Sequence, residues 1–246
     1  DTGLIHQRAA FCVQCRYDPT VLDHVHHAVR HNRTGDDRQT AAVLIMRADL
    51  LQSMDRHREA LADSEKAFEL QKVARKPDGD LPYDPSAVNT RAYFIARARA
   101  AGHASAEQVG QALDEMRELI RIWNTNLNSL SSASPTAEVE FRVAEIMFLD
   151  TYAYLLLYAG DREQALSDLN RCVAMTDHLI ALAETQSSEL GQSAAMREYI
   201  SQLRSHKAVI IAHRGAAHQM LGNPIAAAAD AREAKELGFN KATGVW

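Results

Sequence analysis

One spacing recurs three times along this chain, and it calls for closely packed helix pairs. Between Met46 and Leu70 it falls on Ala48, Leu51, Asp55, Ala60 and Ala67. Between Tyr152 and Met175 it falls on Ala153, Leu156, Gly160, Ala165 and Cys172. Between Arg214 and Phe239 it falls on Gly215, His218, Gly222, Ala227 and Ala234. The intervals are three, four, five and seven residues each time, and a fainter copy runs Ala10, Val13, Tyr17, Leu22, Val29. Two antiparallel helices approach closely only where small side chains meet, and a larger residue one turn on fills the adjacent gap. Glycine, or an aspartate that tolerates a turn, permits the tight reversal between them. Such a pair leaves an apolar face uncovered, so it must stack on a neighbouring pair.

The rest of the sequence is compatible with helices throughout. Only 11 glycines and 6 prolines punctuate 246 residues, and most segments carry a helical period. Breaks are expected at 17–19, 31–37, 76–85, 101–106, 128–135, 186–192 and 222–224. The run 76–85 holds three prolines and a glycine and cannot continue a helix. It is read as a long inter-helix loop within one domain spanning 1–246, and it is also where a sub-boundary would fall. Asp18-Pro19, Asp84-Pro85 and Ser134-Pro135 have the chemistry of helix starts, and Gly238 that of a stop. A degenerate pair is expected over Val88–Ala101 and Ala106–Trp123, and an extended helix over Ser193–Leu221.

The segments G-D-R-E-Q-A-L-S-D at 160–168 and D-R-H-R-E-A-L-A-D at 55–63 resemble the turn region of the tetratricopeptide repeat. The resemblance implies an all-α fold of antiparallel helix pairs, about five of them, stacked into a right-handed superhelix. Leu44, Leu149 and Ile211 stand where the family carries a large aromatic, and Lys72 and Asp177 stand near the place of its proline. The resemblance also implies a concave groove lined by the first helix of each pair. The residues mapped to it are Asp49, Gln52 and Ser53, then Met147, Asp150, Tyr154 and Tyr158, then Gln219 and Met220. Tyr154 and Tyr158 are four residues apart and share a helix face, where they serve either recognition or packing against the next pair. The basic residues with which the family clamps a terminal carboxylate are not found at these positions.

Charge and motifs narrow the function classes. A net charge of -5, with no basic stripe interleaved with aromatics, argues against a nucleic-acid surface. The most apolar stretch, 143–160, is interrupted by Glu145 and Asp150, so no membrane insertion is expected. Three cysteines do not make a disulfide framework. Cys12, Cys15, His27 and His31 have a spacing close to that of structural zinc sites. A Cys12–Cys15 disulfide and plain packing are the other readings, and packing asks least of the sequence. His24, His26, His27 and His31 together suggest a pH response near 6, against the plainer reading of exposed histidines. No phosphate-binding loop, dinucleotide motif, nucleophile elbow or metalloprotease helix occurs. The expectation is therefore a non-enzymatic scaffold or adaptor for a protein or peptide, with no cofactor. The alternative is a sensor domain taking a small molecule or metal and signalling to a partner. The stretch 238–246 is expected to cap the last pair or to form a homodimer contact. A start at Asp1 without methionine leans the expectation toward an exported, periplasmic chain over a cytoplasmic one.

Overall fold

The computed structural model describes residues 37–73, 84–130, 135–190 and 193–239. Cys12, Cys15, His24, His26, His27, His31 and the faint copy of the spacing at 10–29 lie outside them, as does most of the run 76–85. Among the described residues all regular structure is helical. The helices are α1 (Asp37–Ser53), α2 (His57–Val73), α3 (Pro85–Ala100), α4 (Ala106–Leu130), α5 (Pro135–Ala159), α6 (Arg162–Leu190), α7 (Ala194–Met220) and α8 (Pro224–Glu236). Helices α3 and α4 cover the two segments expected to be helical over 88–123. Packing divides the chain into two compact units that meet in sequence between Leu119 and Ile120, inside α4.

In the first unit α1 packs on α2 and α2 on α3. Ala48, Ala60 and Ala67 are fully buried, as the crossing of α1 and α2 requires. The reversal between these helices closes through a bond from Arg56 N–H to Leu51 C=O (2.9 Å). It needs a left-handed residue, and Asp55 supplies it at φ 57°, the one non-glycine at positive φ among the described residues. Arg47 then ties the pair together, its Nε and Nη2 forking onto both oxygens of Asp63, with Nε 2.6 Å from Oδ2. On α3, Arg91 reaches Glu65 of α2 at 2.8 Å and Glu115 of α4, with its guanidinium 4.9 Å above the Phe68 ring. The α3–α4 turn closes the same way, from His103 N–H to Ala98 C=O (2.7 Å). Ser105 and Gln108 cap α4 reciprocally, each side chain accepting from the other's backbone N–H.

The second unit repeats this plan. Here α5 packs on α6, α6 on α7 and α7 on α8, with a lesser contact between α5 and α7. The turns close from Asp161 to Leu156 (3.1 Å) and from Asn223 to His218 (2.9 Å), over Gly160 and Gly222 at φ 105° and 77°. Ala153, Ala165 and Cys172 are fully buried. The Cys172 thiol is pushed well above its ordinary range by burial, and further by Asp150 and Asp168, so it sits in the crossing as a small neutral side chain. Trp123 stacks on Phe141 at 4.4 Å, meets Phe148 edge-on, and donates its Nε1–H to the Phe141 carbonyl.

At the third crossing a glycine stands at the first small position. A Cβ on Gly215 would lie 3.2 Å from the Asp230 Cβ and 3.5 Å from the Ala227 carbonyl oxygen. Gly215→Val is expected to cost about 1–3 kcal/mol through overpacking. Gly110→Ala is the control, since a Cβ there meets nothing within 4 Å, and it should stabilise by about 0.5–1 kcal/mol. Urea unfolding of the two variants checks both signs. Across this pair Arg214 forks onto Asp230 at 3.0 and 2.6 Å, sixteen residues apart like Arg47 and Asp63.

Two expected breaks differ. α4 runs on to Leu130 and α6 to Leu190, because Asn, Ser, Thr and Gln tolerate a helix where no glycine or proline stops it. α7 spans Ala194–Met220, starting where Ser193 accepts from Met196 N–H.

Candidate functional site: the α5–α7 seam

α5 and α7 are the first helices of their pairs, and polar residues are buried where they meet. Asp150 on α5 is fully buried. Both its carboxylate oxygens face His213 Nδ1 on α7, at 2.9 and 3.1 Å. Tyr154, one turn beyond Asp150, stacks on the His213 ring at 4.0 Å and 16°. Tyr158, a further turn on, meets Tyr154 edge-on at 5.3 Å. A carboxylate in this position fixes the imidazole's orientation and favours a proton on Nδ1. The stacked ring removes the remaining freedom of His213 and Tyr154. Tyr158 is half-buried and so forms an edge of this seam that solvent reaches; Met147, half-buried too, lies about three turns earlier on α5.

Charge around the seam is balanced. Glu145, nearly buried, accepts from Arg142 at 3.0 Å and from Arg171 of α6 at 3.2 Å. His206, two turns before His213 on α7, is held below the ordinary histidine range by burial, against the opposing pull of Asp150. In the first unit His57 is likewise lowered, by burial first and by the nearby Arg97 second, against Asp55. Both groups bind protons more readily in the unfolded chain, whose histidines titrate near about 6.5. Their contribution is therefore present above that pH and is lost as pH falls through the folded values. The urea midpoint should drop between pH 7.5 and pH 5, and this dependence should flatten in His206→Gln and His57→Gln.

The residues mapped to a groove from sequence are distributed unevenly. Asp150, Tyr154 and Tyr158 come together in the seam, with Met147 one turn before Asp150. Gln219 is exposed and lines an open apolar crevice of about 430 Å³ between α7 and α8, together with Ala212, Gly215, Ala216 and Phe239. Met220 is half-buried, and its carbonyl accepts from Arg162 at 3.0 Å. In the first unit Asp49 and Ser53 are half-buried, and Ser53 Oγ donates to the Leu50 carbonyl. Gln52 is buried. Its amide oxygen sits where it accepts from His57 Nδ1 (2.7 Å) and from Arg97 Nε (3.0 Å).

His213 completes the seam and was not foreseen. The available signal was a polar residue ending the apolar run 208–212, two positions before the small residue of its repeat. Among the described residues no cluster of three or more His, Cys, Asp or Glu side chains is arranged to hold a metal ion. No described helix is long and apolar enough to cross a membrane.

No protein-family model matches this chain, and no curated protein matches it. Among solved structures, the crystal structure of BtubC (BKLC) from P. vanneervenii is similar over 98% of this chain and 94% of that chain, at 14% identity and a TM-score of 0.33. A likeness that loose carries no argument about fold or function.

Proposed function

We propose that the chain is a divergent tetratricopeptide-like scaffold that binds a protein or peptide, without catalysing a reaction. In this reading about five helix pairs stack into a right-handed superhelix, and the first helix of each pair faces the ligand. Three observations support the repeat. The residues read as turns are at positive φ, the small residues other than the half-buried Ala227 are buried, and the Arg–Asp tie recurs at the same spacing in the first and last pairs.

The observation that carries the binding reading is the α5–α7 seam. Burying a carboxylate and an imidazole is a poor way to gain stability, because apolar side chains of the same volume do it at least as well. Here they orient Tyr154, and Tyr154 in turn meets Tyr158 at the accessible edge, on the helix face that also carries Met147 about three turns earlier. Tyrosine and methionine suit recognition, one rigid and amphipathic, the other adaptable.

A displayed peptide library, panned against the purified protein, tests this. Sequences should be enriched on the wild type, and their binding should weaken about tenfold or more in a folded Tyr158→Ala, Met147→Ala variant. Equal binding by that variant, or no enrichment at all, overturns the reading. In the second case a small-molecule panel that raises the melting temperature would favour the sensor alternative.

A further inference from the structure

The three helix pairs that share the spacing differ at one place, and the difference exposes a carboxylate. The residue before the first small position and the residue three after the second are Arg47 and Asp63, Tyr152 and Asp168, Arg214 and Asp230. In the first pair and the last, the arginine forks onto the aspartate. Those two aspartate side chains are 9% and 7% exposed. The arginines are held in their charged form, chiefly by that hydrogen bond.

The middle pair is built on the same crossing, with Ala153, Ala165 and Cys172 buried as Ala48, Ala60 and Ala67 are. It keeps the aspartate and replaces the arginine by tyrosine. Among the described residues, Asp168 accepts from Gln164 alone, a neutral amide on its own helix at 3.1 Å to Oδ2. Asp168 and Tyr152 are both partly solvent-accessible. The charge on Asp168 is felt inside the crossing, where it adds to the upward push on Cys172.

We propose that Tyr152 and Asp168 form a recognition site for a guanidinium or ammonium group carried by a ligand. The same fold places a guanidinium on the equivalent carboxylate twice within this chain. Where no described residue supplies one, a carboxylate and, at the arginine's equivalent position, a tyrosine offer a charge-assisted hydrogen-bond acceptor and an aromatic ring to a cation. Tyr152 is not among the residues of the α5–α7 seam, so the proposal stands whether or not the seam binds peptide. If both hold, the ligand of this scaffold carries a basic residue.

The probe is N-acetyl-arginine amide, with N-acetyl-citrulline amide as the uncharged control, followed by NMR of the full chain. Saturable shifts at Tyr152 and along 164–168 with the arginine probe, absent with citrulline, are expected. Asp168→Asn should weaken them about tenfold. Tyr152→Arg is the second arm. It should fill the site from within, abolish probe binding, and raise the melting temperature by recreating the tie of the other two pairs. Arginine and citrulline probes shifting the same resonances equally would overturn the proposal. So would the absence of saturable binding, or arginine binding unchanged in both variants. N-acetyl-lysine methylamide in place of arginine tells whether the site discriminates between the two cations, and stronger binding of arginine is expected.

Discussion

Asp150→Ala is expected to lower the unfolding free energy by about 3–5 kcal/mol, among the largest effects of any single substitution in this chain. The carboxylate is fully buried and faces His213 Nδ1 with both oxygens. Its removal leaves an imidazole N–H in the seam with nothing to accept it. Asp150→Asn should cost less, because an amide oxygen still accepts from Nδ1. A double-mutant cycle with His213→Ala separates the pair's interaction from the cavity that each truncation leaves. A coupling of about 2 kcal/mol or more is expected, where residues acting independently would give a value near zero. The aromatic signature should change as well. Tyr154 stacks on His213, so His213→Ala should release Tyr154 and alter the near-ultraviolet circular dichroism without a loss of helix.

Arg91→Ala should cost about 3 kcal/mol in the first unit, near the low end for breaking a buried ion pair. The guanidinium side chain is 7% exposed, while Glu65 and Glu115 keep 29% and 23% of their exposure. Water thus softens the charge left behind. The two carboxylates come from α2 and α4, and in the variant they face one another without the cation between them. Arg91→Lys keeps the charge but cannot fork onto two carboxylates while lying over the Phe68 ring, and should lose about 1–2 kcal/mol. The diagnostic variant is Arg91→Met with Glu65→Gln and Glu115→Gln. Replacing the whole triad by neutral groups should recover much of the loss. Guanidinium chloride unfolding of the series checks the order, and a triple variant no more stable than Arg91→Ala would count against it.

The parts of the fold that were legible in the sequence are those set by short-range chemistry. Asp55, Gly160 and Gly222 were readable as turns because few residues tolerate a left-handed backbone, and Ala48, Ala165 and Cys172 as crossing positions because only small side chains fit there. Asp84 before Pro85 was readable as a cap for the same local reason, and its side chain accepts from Ser86 N–H. The helices ending at 130 and 190 run part-way into the expected breaks at 128–135 and 186–192, since serine, asparagine and glutamine runs weaken a helix without ending one at once. The seam was legible only in half. Asp150, Tyr154 and Tyr158 lie on one helix face by their spacing alone. Their partner His213 lies sixty-three residues from Asp150, and the register that joins them is set by how α6 and α7 pack. The Arg–Asp tie shows the opposite case. Its sixteen-residue interval is written in the sequence, but it has meaning only once the pair geometry is known.

Within each unit the packed helices are chiefly neighbours in sequence, which bears on how each unit comes to be folded. Contacts between near neighbours close short loops, so the entropy lost before they form is small and folding should be fast for a chain of this length. The same locality makes the structure separable. Among the described residues α8 packs chiefly against α7, its Ile225 is 83% exposed, and half of its remaining side chains are alanine. Within the second unit, amide hydrogens of α8 should exchange first and those of α5 and α6 last, so that this unit opens from α8 inward by steps and not all at once.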